Sequence, residues 1–353
     1  IVLSIRSCCL YHFNITESLY WYGGKTMKKY LGFVMAVFLA AGSFSSIVAA
    51  QQTNLTTQNQ MEIISEKENV EVSYDFQQYA STTEQTTQPI EPQEKRNIAA
   101  NEYIPILMYH HFKTEEVPAG DGANMSIDEF EQHLKTLQQA GYTTIFLNDL
   151  NHIMQKVQQD KQAGVTDQGL HMNGKYIIIT IDDGYRSNYE LAYPLLQKYH
   201  MKASISVITS RIHHGYIYSS NEIEKMSWEN LNEMQNSGLV EIFGHTYDHE
   251  PVGNRLYTDF RSSVLKGEEM LEKELEMRSP VKVLTYPNGN YTNQTQVLMR
   301  SMLGFDLQMT TNSGVVNRNT SILEIPRITV NSGWSGEQLL EKIEQAAQKT
   351  FQP

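Results

Sequence analysis

Ile179-Thr180-Ile181-Asp182-Asp183-Gly184-Tyr185 is an apolar run that stops on two carboxylates and a glycine. Its β-branched residues read as the end of a buried strand over residues 176–181. Adjacent aspartates project to different sides of the chain, so one can hold a metal ion while its neighbour takes a proton from water. Gly184 allows a tight turn beneath them. Downstream, His245-Thr246-Tyr247-Asp248-His249 also follows an apolar run and offers two imidazoles to a common ion if the segment turns after its strand. The two stretches together supply an oxygen ligand, two nitrogen ligands and a spare carboxylate, which is what a hydrolytic divalent-metal site needs.

Outward from these stretches, strand and helix patterns alternate. Residues 104–109 read as a buried strand. Ser126-Ile127-Asp128-Glu129 is a capping box, followed by Ile127, Phe130, Leu134 and Leu137 at helical spacing and stopped by Gly141. Further strands are expected at 142–147, 203–208, 239–243, 281–286 and 323–330. Helices are expected at 187–199, 227–236, 259–276, 294–302 and 336–349, with a polar insert over 151–173. This cadence implies an α/β fold whose parallel sheet closes, or nearly closes, into one (β/α) barrel-like domain. His110-His111, Asp182-Asp183, His245 and Tyr286-Pro287-Asn288-Gly289 each follow the last apolar residue of a separate strand. In a parallel barrel such positions gather on the rim at the C-terminal strand ends, where these folds do their chemistry.

The chain has 353 residues, opens on Ile1 and has its first methionine at Met27, so residues 1–26 are expected to be an untranslated upstream extension. Residues 27–50 read as a signal peptide: Met27-Lys28-Lys29, an apolar stretch, then small residues ending at Val48-Ala49-Ala50. Cleavage there predicts a secreted protein without stable membrane insertion. Residues 51–100 are rich in Gln, Thr, Glu and Ser and read as a disordered linker, because so few apolar residues cannot offset the entropy of ordering. The linker would either space the catalytic domain, residues 101–353 with its core motifs in 175–353, from a cell surface or be a tolerated tail. Both cysteines, Cys8 and Cys9, precede Met27, so the mature chain is expected to use neither disulfides nor a thiol nucleophile. A net charge of −12 without a Lys/Arg block argues against a nucleic-acid partner. A monomer is expected.

The two motifs resemble those of the NodB-homology polysaccharide deacetylases, metal-dependent carbohydrate esterases. Thr180-Ile181-Asp182-Asp183-Gly184 is similar to their first motif, and His245-Thr246-Tyr247-Asp248-His249 matches their second. The resemblance implies a distorted (β/α)7-type barrel, Asp182 as catalytic base, and Asp183, His245 and His249 as ligands of a divalent metal, with Zn²⁺ expected for that donor set. The family's third motif carries an arginine and an aromatic residue, whereas this chain has Thr285-Tyr286-Pro287-Asn288. The Asn288 backbone N–H would still polarise an oxyanion, with Tyr286 beside it, and Arg327 is the candidate for the missing arginine's role. The late general-acid histidine of the family is also absent, since none follows His249. His110, with His111 as second choice, is the expected substitute, an arrangement similar to the poly-β-1,6-N-acetylglucosamine deacetylases of biofilm exopolysaccharide.

The implied reaction removes N-acetyl groups from N-acetylglucosamine residues of such an exopolysaccharide, giving acetate and a free amino sugar. Peptidoglycan deacetylation, O-acetyl hydrolysis and a catalytically silent carbohydrate-binding cell-wall protein are the rival readings. Tyr185, Tyr216, Tyr218, Trp228 and Trp334 are candidates for stacking on sugar rings.

Overall fold

The computed structural model describes residues 96–167, 169–215 and 224–352. The expectations for residues 1–26, for the signal peptide, for the linker up to residue 95, and for Tyr216 and Tyr218 lie outside the described residues. In chain order the strands are β1 (Tyr103–Ile104), β2 (Ile106–Tyr109), β3 (His111–Lys113), β4 (Asn124–Ser126), β5 (Tyr142–Thr144), β6 (Lys175–Asp183), β7 (Ala203–Val207), β8 (Val240–Gly244), β9 (Val283–Thr285), β10 (Leu307–Ser313), β11 (Val316–Asn317) and β12 (Ile325–Thr329). The α-helices are α1 (Ile127–Gln139), α2 (Leu147–Gln162), α3 (Tyr193–Tyr199), α4 (Trp228–Asn236), α5 (Tyr257–Glu274), α6 (Asn293–Leu303) and α7 (Gly336–Thr350).

Strands β2, β12, β10, β9, β8, β7 and β6 pair in that order, and β6 pairs back to β2, closing a parallel barrel. β6 is long enough to hold the seam. Its Ile178–Ile181 stretch pairs β2, Thr180–Asp183 pairs β7, and its first residues carry β5. Side chains alternate along each strand. Ile106, Ile178, Phe243, Val283, Leu307, Met309 and Ile325 form one core inside the barrel. Leu147, Leu150 and Met154 of α2 join that core and close the N-terminal end. Residues of the opposite parity, including Ile179, Ile181, Ile205 and Ile242, pack outward against α1, α3, α4, α5 and α7.

The expected capping box forms, with Ser126 Oγ accepting from Glu129 N–H and Glu129 returning to Ser126 N–H. Three expectations are corrected. The strand over 104–109 is two strands: Pro105 separates β1, which pairs antiparallel with β11, from β2 in the barrel. The strand at 142–147 ends at Thr144, and the insert beginning at residue 151 is largely helix α2. Leu147, Leu150, Met154 and Val157 supply that helix's buried stripe, which the surrounding Gln and Asn residues obscure in the sequence. Its first N–H groups are capped from a distance: Glu241 on β8 accepts from Leu147 N–H at 2.7 Å and from Asn148 N–H at 3.4 Å. β10 was not expected at all. Its Gln308 and Thr310 are fully buried and satisfied by hydrogen bonds, so a polar-looking segment is core.

Candidate metal centre

Alternation on β6 gives the two aspartates different surroundings. Asp182 has the parity of Ile178 and Thr180 and points into the barrel, where it is 1% exposed. Arg327, also 1% exposed, reaches it from β12 in a two-point contact: Nη1 to Oδ1 at 2.9 Å and Nη2 to Oδ2 at 2.8 Å. The same guanidinium donates to Thr180 Oγ1 at 3.2 Å and through Nε to Thr310 O at 2.8 Å, so partners on β6 and β10 fix its position. Burial pushes the Asp182 carboxyl up, but Arg327, His245 and His110 outweigh it and pull it down to about 2.

Asp183 turns the other way at the strand end, with φ +75°, and Gly184 follows at φ +71°. A Cβ on Gly184 would lie 3.0 Å from Val207 Cγ1, so the turn requires glycine on both counts. Thr246 and His249 also hold positive φ (+64° each), which bends the segment after β8 back over the strand end. His245 Nε2 and His249 Nε2 then lie 3.2 Å apart, each 3.6 Å from Asp183 Oδ1. His245 Nδ1–H donates to Thr285 O at 2.8 Å, which fixes its proton there and turns the Nε2 lone pair toward the other two residues. Burial lowers both histidines, keeping them neutral, as ligands must be. Asp183 Oδ1 is buried with no hydrogen-bond partner. Three converging donor atoms, one an orphaned carboxylate oxygen, fit a divalent cation.

The remaining expected residues divide. His110 has the inward parity of Ile106 and follows Tyr109, whose partner across the seam is Ile181, one residue before Asp182. Its Nδ1 is buried without a hydrogen-bond partner. His111 takes the outward side: its Nδ1 bonds Ser187 Oγ at 2.8 Å, its ring meets Tyr185 at 4.8 Å, and burial followed by the Lys113 and Lys225 charges lowers it. Asn288 sits in a tight turn with φ +54°, and the turn's hydrogen bonds run from Gly289 N–H to Tyr286 O and from Asn290 N–H to Pro287 O. The Asn288 N–H is outside that pairing. Gly289 is required there, since a Cβ would fall 2.1 Å from Thr311 Oγ1.

Tyr286 departs from the expectation of a substrate contact. Its ring is fully buried against Phe260, and its hydroxyl donates to Gln308 Oε1 at 2.6 Å, so it serves the core. Trp228 is likewise buried, at 2% exposure, and unavailable for stacking on sugars. Trp334 is half-buried beside α7 with Lys342 over its ring. Tyr185 stays at the centre, where burial and then the Asp183 charge raise its hydroxyl above the usual phenol range. The sequence reading missed Lys225, whose Nζ lies 3.2 Å from the Tyr185 ring centroid, and the Thr285 carbonyl that tethers His245. Backbone carbonyls leave no trace in residue identity, and Lys225 belongs to no motif.

Residues 170–306 match the family described as polysaccharide deacetylase. The Bacillus subtilis protein YxkH is 28% identical over 233 residues, 66% of this chain and 73% of that protein. A Staphylococcus aureus poly-β-1,6-N-acetyl-D-glucosamine N-deacetylase is 23% identical over 214 residues, 59% of this chain and 68% of its own length. Among solved structures, IcaB from Ammonifex degensii superposes with TM-score 0.54 at 26% identity, covering 69% of this chain and 97% of that one. Streptococcus pyogenes deacetylase PplD, solved with acetate, gives TM-score 0.56 at 23% identity over 68% and 98% of the two chains, a likeness of fold.

Proposed function

We propose that the chain is a secreted, metal-dependent N-deacetylase of poly-β-1,6-N-acetylglucosamine, a reading supported by the match of residues 170–306 to the polysaccharide deacetylase family. The observation that carries the metal-dependent reading is the buried, partnerless Asp183 Oδ1 beside two Nε2 atoms, next to an Asp182 locked by Arg327. The names of the staphylococcal relatives and of IcaB support the choice of polymer. Among the described residues no helix is long and apolar enough to cross a membrane.

Asp183, His245 and His249 would hold the ion, with Zn²⁺ favoured by two nitrogens and one oxygen. Such an ion supplies Lewis acidity, making a water more acidic and polarising the acetamido carbonyl. Asp182 accepts the proton from water. Arg327 occupies one lone pair on each Asp182 oxygen and leaves the others free, so the carboxylate is oriented without being blocked. The Asn288 N–H donates to the oxygen that gains negative charge as the carbonyl is attacked. His110, half-buried with its Nδ1 out of solvent and of inward parity, delivers a proton to the departing nitrogen, and acetate and a free amine remain.

The test is acetate release by the whole chain supplied with Zn²⁺, on β-1,6- and β-1,4-linked N-acetylglucosamine oligomers, with Asp182→Asn as control. Release that the control loses by about 100-fold or more supports the reading, and the preferred linkage assigns the polymer. Zn²⁺ binding without release from any acetylated glycan, peptidoglycan included, would instead make the protein a silent binder.

A further inference from the structure

His110 belongs neither to β2, which ends at Tyr109, nor to β3, which starts at His111. β2 is paired with β6 and β3 with β4, so His110 stands between two differently anchored strands. What fixes it comes from the segment just after Asp182-Asp183-Gly184. Asn188 Nδ2 donates to His110 O at 2.7 Å. Beside it, Ser187 Oγ accepts from Phe112 N–H at 3.0 Å and bonds His111 Nδ1 at 2.8 Å. Two consecutive side chains thus grip residues 110–112, and the segment that carries both aspartates also sets the backbone of the histidine.

Asn188 is fully buried and opens a π-helical turn, Asn188–Ala192, in which Tyr193 N–H donates to Asn188 O. Such turns are rare and recur at functional sites. The Asn188 N–H bonds Tyr185 O at 2.9 Å, so both of its backbone groups are committed to the turn and its side chain alone serves His110. A carbonyl accepts only from the amide nitrogen, which fixes the way the carboxamide faces. Asn188 Oδ1 is then buried with no hydrogen-bond partner among the described residues, and so is His110 Nδ1. An unfilled buried acceptor costs stability, which a side chain kept for packing alone would not incur. The two unfilled atoms are an acceptor and a ring nitrogen able to donate, on residues already joined through Nδ2.

We propose that Asn188 is a positioning residue for His110: its carboxamide, anchored on the His110 carbonyl, sets the backbone from which the imidazole reaches the departing nitrogen, with its unfilled Oδ1 as the acceptor available to the ring. Proton delivery depends on geometry as much as on acidity, so a histidine whose backbone is loosened spends less time aligned. The inference rests on the proposed role of His110 as proton donor.

The test is a double-mutant cycle on the whole chain supplied with Zn²⁺, with kcat and KM for acetate release from N-acetylglucosamine oligomers. The four proteins are wild type, Asn188→Leu, His110→Ala and the double variant. Asn188→Leu is expected to lose about 10- to 100-fold in kcat, with KM within about threefold of wild type. In the His110→Ala background the same substitution should change kcat by less than about twofold, because the group it positions is gone. An equal loss in both backgrounds makes Asn188 a structural residue and overturns the proposal. If Asn188→Leu does not fold, Asn188→Ser, which keeps a small polar side chain without the carboxamide, carries the same expectation. A wild type that releases no acetate, or a His110→Ala variant with wild-type kcat, overturns the proton-donor reading and this inference together. An impaired His110→Ala beside an unimpaired Asn188→Leu overturns this inference alone.

Discussion

Replacing Arg327 by Met would leave Asp182 buried with its countercharge gone. In the native protein the carboxyl is held at about 2 against an ordinary value of 3.8, a net gain of about 2 kcal/mol for the charged form. That gain is what remains after burial has opposed it, so removing the guanidinium costs more, and about 3–5 kcal/mol is expected for breaking a buried pair. In a domain of this size the loss should lower the melting temperature by about 6–20 °C near pH 7. The sign with pH follows from the depressed value. Wild type keeps this stabilisation above the unfolded value of 3.8 and loses it as pH falls toward about 2. In Arg327→Met the carboxyl is raised instead, so the deficit should shrink on acidification. Urea denaturation of both proteins between pH 3 and 7 measures it, and Asp182→Asn combined with Arg327→Met should recover about 2 kcal/mol by removing the stranded charge. A deficit below about 1 kcal/mol, flat across that pH range, would refute the argument.

Glu241, buried where it caps α2 and pushed up by burial to about 7 from 4.5, should make wild type lose about 3 kcal/mol as pH rises from 4.5 to 7. Denaturation of Glu241→Gln should be flat over that window, and parallel curves for the two proteins would contradict it. Zn²⁺ at about 100 times its Kd should stabilise the chain by about 2.7 kcal/mol, roughly 5–10 °C by calorimetry, with no shift in His245→Ala. An equal shift in that variant would move the ion elsewhere.

Much of the barrel was legible because two periodicities survive in the sequence. The β-branched run before Asp182 and the capping box at Ser126 each specify a local conformation, and the alternation of such segments specifies a parallel sheet. The reading failed where burial and composition part company. α2 hides its apolar stripe among Gln and Asn, and β10 buries Gln308 and Thr310 because neighbours satisfy them. The same limit applied to the aromatics, since Tyr286 and Trp228 carry no mark that distinguishes core from surface.

By itself the sequence determined which candidate donor atoms the chain carries, because Asp182-Asp183-Gly184 and His245-x-x-x-His249 name them and the turn that presents them. Only the tertiary structure decided what those atoms meet. Closure of the barrel brings Arg327 on β12 onto Asp182 on β6, residues 145 positions apart, and sets Lys225 over Tyr185. The physical reason is that a carboxylate's role depends on the charges and donors within a few ångströms, and those are fixed by strand register and closure rather than by neighbours in the chain.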